Sequence, residues 1–291
     1  MSDYSLWIVE YARVKEYPVS AALYGRHNQG SLVLPYCYGV LKSDDHLAIV
    51  DTGFDYAEFG KVLADTYGVS DWQPPEVVMS RIGFSPRDVD TMILTHNHFD
   101  HAGGVDFFPN AHIYLQSREV QNYMWAKGLP HRMQWLTTAT DPDLMISLVE
   151  RMRQGKLTLL DGEADVIPGV RAVPAHDTHT AGSQYVTLDQ HDGRWLLAGD
   201  NCYTYDNFLG SQEDGMFVPI GLAFGSMQQC VLTMEEMWQY VDEEVERIVP
   251  FHAEEMWDKF PTHTFDDTLR VAEISLAPGE ASRLESLEAA A

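Results

Sequence analysis

The sequence predicts a single mixed α/β domain. Short runs rich in Val, Ile and aromatic residues recur along the chain, bounded by Gly, Asp and Ser. They alternate with stretches whose apolar residues fall at helical spacing. The densest polar clusters stand at the ends of the apolar runs rather than inside them. The expected division is one domain over residues 1–276 and a flexible tail over 277–291, where Ala, Glu and Ser dominate.

Residues 6–9, 32–40 and 46–50 read as strands, the last (HLAIV) ending at Asp51-Thr52-Gly53. Residues 55–67 have helical spacing, with Phe59, Val62 and Leu63 on one side. A Pro-broken linker at 73–76 follows. Ser85 and Pro86 then form a helix start, one as cap and the other in the first turn. Thr91-Met92-Ile93-Leu94-Thr95 is a buried-strand signature running straight into His96. Residues 111–116 read as a strand and 117–125 as a helix. Residues 126–155 are rich in Met, Trp, Leu and Arg, broken by turn signals. Strands follow at 170–173, 184–188 and 195–198, the last two joined by a hairpin turn at Asp192-Gly193. Residues 234–240 are helical, and a final strand at 247–250 ends at Phe251-His252.

Of the 291 residues, 45% are hydrophobic and 22% charged, which is globular rather than disordered composition. Nineteen Lys and Arg stand against 44 Asp and Glu, a formal charge of −25. Such a surface repels phosphate backbones and anionic lipid, so neither nucleic acid nor a membrane is an expected partner. Cys37, Cys202 and Cys230 are far apart and form no CxxC pair, which fits a reducing cytoplasm. The N-terminal stretch has no basic segment leading into an apolar one, so no signal peptide is expected.

Chemistry concentrates in Thr95-His96-Asn97-His98-Phe99-Asp100-His101-Ala102-Gly103-Gly104. His96, His98, Asp100 and His101 are all able to ligate a metal, and they directly follow a run too apolar for a surface loop. Imidazole and carboxylate suit divalent zinc, iron, manganese or cobalt. A turn after a strand aims His96 and His98 one way and Asp100 and His101 another, which suits two ions rather than one.

With four further segments, this stretch resembles the metallo-β-lactamase superfamily, and specifically its dinuclear hydrolases. The resemblance spans roughly residues 32–260. Asp51 in HLAIVDTG matches a first motif, HNHFDHAGG a second, His179-Thr180-Ala181-Gly182 a third, Leu196-Leu197-Ala198-Gly199-Asp200 a fourth and Phe251-His252 a fifth. The resemblance implies an αβ/βα four-layer sandwich with the site on loops at one edge. It implies that His96, His98 and His179 hold one metal, that Asp100, His101 and His252 hold the other, and that Asp200 bridges. The cofactors implied are two divalent ions, zinc foremost. In Pro174-Ala175-His176-Asp177-Thr178-His179, a Pro-x-His element points to His176 and a His-Thr-x-Gly element to His179. His179 is favoured, because its run leads directly into the next strand. Asp51 is either a partner of a ligand or a plain turn residue.

Two such ions turn bound water into hydroxide near neutral pH, so no serine or cysteine nucleophile is needed, and there is no GxSxG elbow. Tyr203, three residues after Asp200, matches a tyrosine of the N-acyl-homoserine lactonases that points at the substrate carbonyl. Asp100 is placed to relay a proton to the leaving group. The expected activity is opening of a lactone or simple ester. A glyoxalase II-like thioesterase or a phosphotriester hydrolase are the alternatives, and a flavodiiron-like oxygen-reducing protein stands as a different class. Tyr123, Trp125, Met133 and Trp135 are candidates to roof an apolar pocket. Homodimerisation is common among the lactonases the chain resembles.

Overall fold

The computed structural model describes residues 3–284 apart from 211, 213 and 267. Its strands, in chain order, are β1 (Ser5–Pro18), β2 (Ser31–Lys42), β3 (Leu47–Val50), β4 (Val69–Ser70), β5 (Thr91–Ile93), β6 (His112–Gln116) and β7 (Leu157–Leu160). Then come β8 (Ala164–Ile167), β9 (Val170–Pro174), β10 (Gln184–Gln190), β11 (Gly193–Leu197), β12 (Ile248–Val249), β13 (Thr262–Phe265) and β14 (Leu269–Ser275). Among the described residues, one sheet runs β13-β14-β1-β2-β3-β5-β6-β7, with β4 added against β1, and the second runs β12-β11-β10-β9-β8.

Side-chain alternation turns these two sheets into four layers. In a strand, successive side chains point to opposite faces. Leu6 and Ile8 of β1, Ala48 and Val50 of β3 and Ile93 of β5 share one apolar core with Val186 and Leu188 of β10, Leu197 of β11 and Val249 of β12. That core lies between the sheets. Their neighbours Trp7, Val9, Ile49 and Met92 face the opposite way, against helical residues such as Leu63, Ala64, Val78 and Met79. On the far side of the second sheet, Tyr185, Leu196 and Ile248 pack on Met234 and Met237 of helix Met227–Tyr240. Helix, sheet, sheet, helix is the sandwich that the resemblance implied. Burial of both faces also explains why residues 91–94 read as an unbroken apolar run: β5 pairs parallel with β3 and β6.

Several local expectations are met. Ser85 accepts from the Arg87 amide at the start of the 3-10 turn Pro86–Asp88. Gln190 pairs with Gly193 across the β10–β11 hairpin. Helix Glu58–Tyr67 differs in its face: Leu63 is buried with Gly60 and Ala64, whereas Phe59 and Val62 are exposed. Of the stretch expected to be a flexible tail, residues 278–281 are exposed and the last described residues touch the body. Leu284 is buried, and the Arg283 guanidinium covers the Trp7 and Phe84 rings. Residues 285–291 lie outside the described residues.

The strands that matter chemically end on one edge. Asp51 follows β3, His96 follows the β5 run, Asp200 follows β11 and His252 follows β12. The β11–β12 pair is parallel, with Leu197 opposite Val249, so its two carboxyl ends emerge side by side. His179 lies in the connection from β9 to β10. Loops at carboxyl ends of neighbouring strands are where such sheets gather ligand-binding groups.

Ile8, fully buried between the sheets, is the natural probe of their docking. Ile8→Ala is expected to cost about 2–5 kcal/mol of stability, read as a lowered denaturant midpoint with an unchanged slope.

Candidate metal centre

Two groups of donors stand together at this edge: His96, His98, His179 and Asp200, and beside them Asp100, His101 and His252. All seven are buried. Asp200 lies between the groups. Its Oδ1 is 3.0 Å from both His101 Nε2 and His252 Nε2, and its Oδ2 is 3.2 Å from His179 Nε2 and 3.9 Å from His96 Nε2. Asp100 Oδ2 is 3.6 Å from His101 Nε2 and 3.9 Å from His252 Nε2. His176 is elsewhere: it is half-buried, with Nε2 3.4 Å from Gln116 Oε1. Of the two histidines the sequence left open, His179 is the one that joins the cluster.

Local structure aims these groups. The turn Phe99–Ala102 is helical, so Asp100 and His101 leave it in directions distinct from His96 and His98. Gly199 has φ +53°, and a Cβ there would stand 2.7 Å from Thr95 Cβ. Glycine is needed at that point for the Asp200 turn to lie against the β5 loop.

The outward nitrogens are held by partners that fix the tautomers. His179 Nδ1 donates to the Leu222 carbonyl at 2.8 Å and His252 Nδ1 to the Pro35 carbonyl at 2.7 Å. Carbonyls only accept, so both protons sit on Nδ1 and both Nε2 lone pairs face inward. His101 Nδ1 is 2.7 Å from Asp51 Oδ2, again an acceptor. Asp51 also accepts from the Thr95 amide and hydroxyl at 2.7 and 2.8 Å. It therefore braces a cluster residue rather than serving as a plain turn aspartate, and it does so in the left-handed region at φ 65°.

The result is an interior crowded with inward-facing nitrogens and carboxylate oxygens. His101 Nε2 faces His252 Nε2 at 3.3 Å, and His179 Nε2 faces His98 Nδ1 at 2.9 Å. His96 Nε2 is buried without a hydrogen-bond partner. Where two such lone pairs face one another they repel, and a cation between them reverses the sign. Burial holds the His96, His98 and His179 imidazoles below their ordinary pKa, in the neutral form that ligates. Burial also opposes charge on His101, but Asp200, Asp100 and Asp51 outweigh it and hold its pKa well above the usual value. Burial would raise Asp200, yet His101, His252 and His179 hold it well below, as a carboxylate. A field that draws a proton to this point draws a divalent ion more strongly. The donor set fits two such ions, and imidazole with carboxylate suits zinc or a similar divalent metal.

The sequence profile of the metallo-β-lactamase superfamily matches residues 34–252. The chain belongs to that superfamily. It is 28% identical over 183 residues to an N-acyl homoserine lactonase of a Bacillus species. That match covers 60% of this chain and 66% of the relative, a little under two thirds of it. The fold is shared with an N-acyl homoserine lactone hydrolase solved with the product N-hexanoyl-L-homoserine at its catalytic metal centre. There the TM-score is 0.68 at 21% identity, over 90% of this chain and 98% of the other. It is shared also with AidC, a dizinc quorum-quenching lactonase, at TM-score 0.62 and 17% identity, over 92% and 96% of the two chains.

Above the donors lies a cavity of about 60 Å³, several times the roughly 10–15 Å³ that one water requires. Tyr17, Leu34, Tyr36, Tyr67, Phe99, Ala139, Tyr203 and Leu222 line it together with His98, Asp100, Asp200 and His252. Tyr203 is buried and stacks on His252, with ring centroids 5.2 Å apart. Burial and the nearby Asp200 push its phenol well up, so it stays a neutral donor. Tyr17, Tyr36 and Tyr67 carried no signal in the sequence, because they come from segments without a motif. None of the four residues expected to roof the pocket lines this cavity: Met133 and Trp135 are exposed, and Trp135 packs on Phe224 at 4.9 Å, which in turn lies edge-on to His98 at 5.8 Å. Tyr123 is buried beside Asn97 and His98, while Trp125 is exposed.

Replacing His179 with Ala should strip metal from the purified protein, whereas His176→Ala should leave its metal content unchanged; elemental analysis after dialysis reads both.

Proposed function

We propose that this chain is a dinuclear metal-dependent hydrolase that opens a lactone or a closely related ester. The observation that carries it is the sharing of Asp200 between two buried donor groups, directly beneath an aromatic cavity that contains Tyr203. In this reading His96, His98 and His179 hold one ion, Asp100, His101 and His252 hold the other, and Asp200 spans both. When bound, the two ions would polarise the ester carbonyl and lower the pKa of water from about 15.7 towards 7. Zinc is the metal proposed, with iron, manganese and cobalt as substitutes the same donors accept.

The chain's own residues do the rest. The Tyr203 hydroxyl donates to the carbonyl oxygen and follows it as negative charge develops there, the task of a preorganised donor. Asp100 lines the same cavity. Its carboxylate is placed to take the proton released by the attacking water and pass it to the departing alkoxide oxygen. The aromatic walls exclude bulk water, which strengthens each polar contact inside. Among the described residues no Lys or Arg lines the cavity. That favours an uncharged ring or ester over an anionic thioester or phosphate ester, and it sets the lactone reading ahead of a glyoxalase II-like one.

The Bacillus relative supplies the substrate class: an N-acyl homoserine lactone, whose hydrolysis would quench a quorum signal. We place the protein in the cytoplasm, where three buried free thiols persist. Among the described residues no helix is long and apolar enough to cross a membrane.

A panel of homoserine lactones, aromatic lactones, thioesters and phosphotriesters should show neutral lactones turned over fastest. Asp200→Asn should abolish that turnover. Tyr203→Phe should lower kcat on the order of 10²-fold, the usual loss of one oxyanion donor, with metal content intact. Loss of metal in the Phe variant would make Tyr203 structural, and full activity in Asp200→Asn would end the proposal.

A further inference from the structure

Helix Ser117–Lys127 begins beside the metal centre, and its third residue, Glu119, is only 1% exposed. The chemistry above makes no use of this buried carboxylate. Its Oε1 accepts from the Thr180 hydroxyl at 2.5 Å and the Gly182 amide at 2.6 Å; its Oε2 accepts from the Asn97 amide at 2.9 Å. Asn97 stands between His96 and His98, and Thr180 directly follows His179. One side chain therefore ties the loop of two histidines to the loop of the third.

The close approach is built into the backbone. A Cβ on Gly182 would stand 2.6 Å from the Glu119 nitrogen, so only glycine lets this loop lie against the first turn of the helix. Outside the buried contact, Arg118 Nη2 donates to both carboxylate oxygens of Asp177 at 2.9 and 2.8 Å, latching the same helix to the same loop. From the other direction the Thr140 hydroxyl donates to Asn97 Oδ1 at 3.2 Å. The distance the clamp sets is that between His98 Nδ1 and His179 Nε2, 2.9 Å. An ion can be shared by these two nitrogens only while the loops that carry them are held at this spacing. A carboxylate with three donors is strong enough for the task, because hydrogen bonds to an ionised acceptor are roughly twice as strong as neutral ones.

We infer that Glu119 is a positioning residue that keeps the His96–His98–His179 group closed around its ion, through the backbones between and beyond those histidines, whereas it makes no contact with the Asp100–His101–His252 group, where Asp51 holds His101 and the Pro35 carbonyl holds His252. The role rests on the dinuclear reading above. Its signature is asymmetry between the two ions, which a general loss of stability does not produce.

The test compares wild type, Glu119→Gln and Thr180→Val, each purified with zinc and titrated with a chelator while bound metal per chain is measured. Folding is followed by circular dichroism and thermal melting. In the Gln variant the side-chain amide must present a donor to at least one of three donors. One zinc equivalent should then leave at a chelator concentration about 10–100-fold lower than in wild type, the usual effect of removing an outer partner, with the second leaving as in wild type. Thr180→Val, which removes one donor, should shift the same equivalent by less. Should Glu119→Gln not fold, the Val variant decides alone. Release of both equivalents at wild-type concentrations, or a parallel shift of both, would overturn the role of Glu119. A wild-type protein that never holds more than one equivalent would instead overturn the dinuclear reading, and this role with it.

Discussion

The structure is organised around a crowd of donors. Five imidazoles gather, with ring nitrogens as little as 2.9 Å apart, around the buried Asp200 carboxylate. One of its atoms, His96 Nε2, is buried with no hydrogen-bond partner. An unpaired polar group in such surroundings costs on the order of 1–3 kcal/mol. The rest of the fold must hold these donors in place before any ion arrives.

It does so by fixing the outer side of three of the rings. Main-chain carbonyls at Pro35 and Leu222 capture two histidines, and Asp51 captures a third. Pro35 lies in β2 and Asp51 directly after β3, so the apolar core between the sheets and the geometry of the centre are one problem. Outer hydrogen bonds of this kind decide which nitrogen carries the proton and hence which one ligates. The parallel pairing of β11 with β12 does similar work, delivering Asp200 and His252 from adjacent strand ends.

How much of this was legible in the sequence follows from where each signal resides. The cluster at 96–101 is dense because one turn supplies four donors, and β5 is buried on both faces, so motif and strand reinforce each other. His179, Asp200 and His252 each lie in a short segment beside a strand, and the family resemblance tied them together. The tyrosines at 17, 36 and 67 are single residues in ordinary segments; only the folded chain brings them to one cavity. Glu119 looks like any helix-start acid, and its inward turn depends on a glycine 63 residues away. Phe59 and Val62 fit a helical spacing but face outward, because small residues at 60 and 64 let the opposite side pack more closely. The strands β13 and β14 went unread, and they close the first sheet against β1 rather than shape the site.

The distance along the chain between the donors also sets an order of events during synthesis. A ribosome releases His96, His98 and His101 well before Asp200, and His252 last of all. Until residue 252 has emerged and β12 has joined β11, the growing polypeptide carries an exposed half-set of imidazoles that can take up stray metal but cannot assemble both nuclei. Both donor groups are therefore complete only once residue 252 has joined them, and the binding energy of the ions rewards only a chain that has reached it.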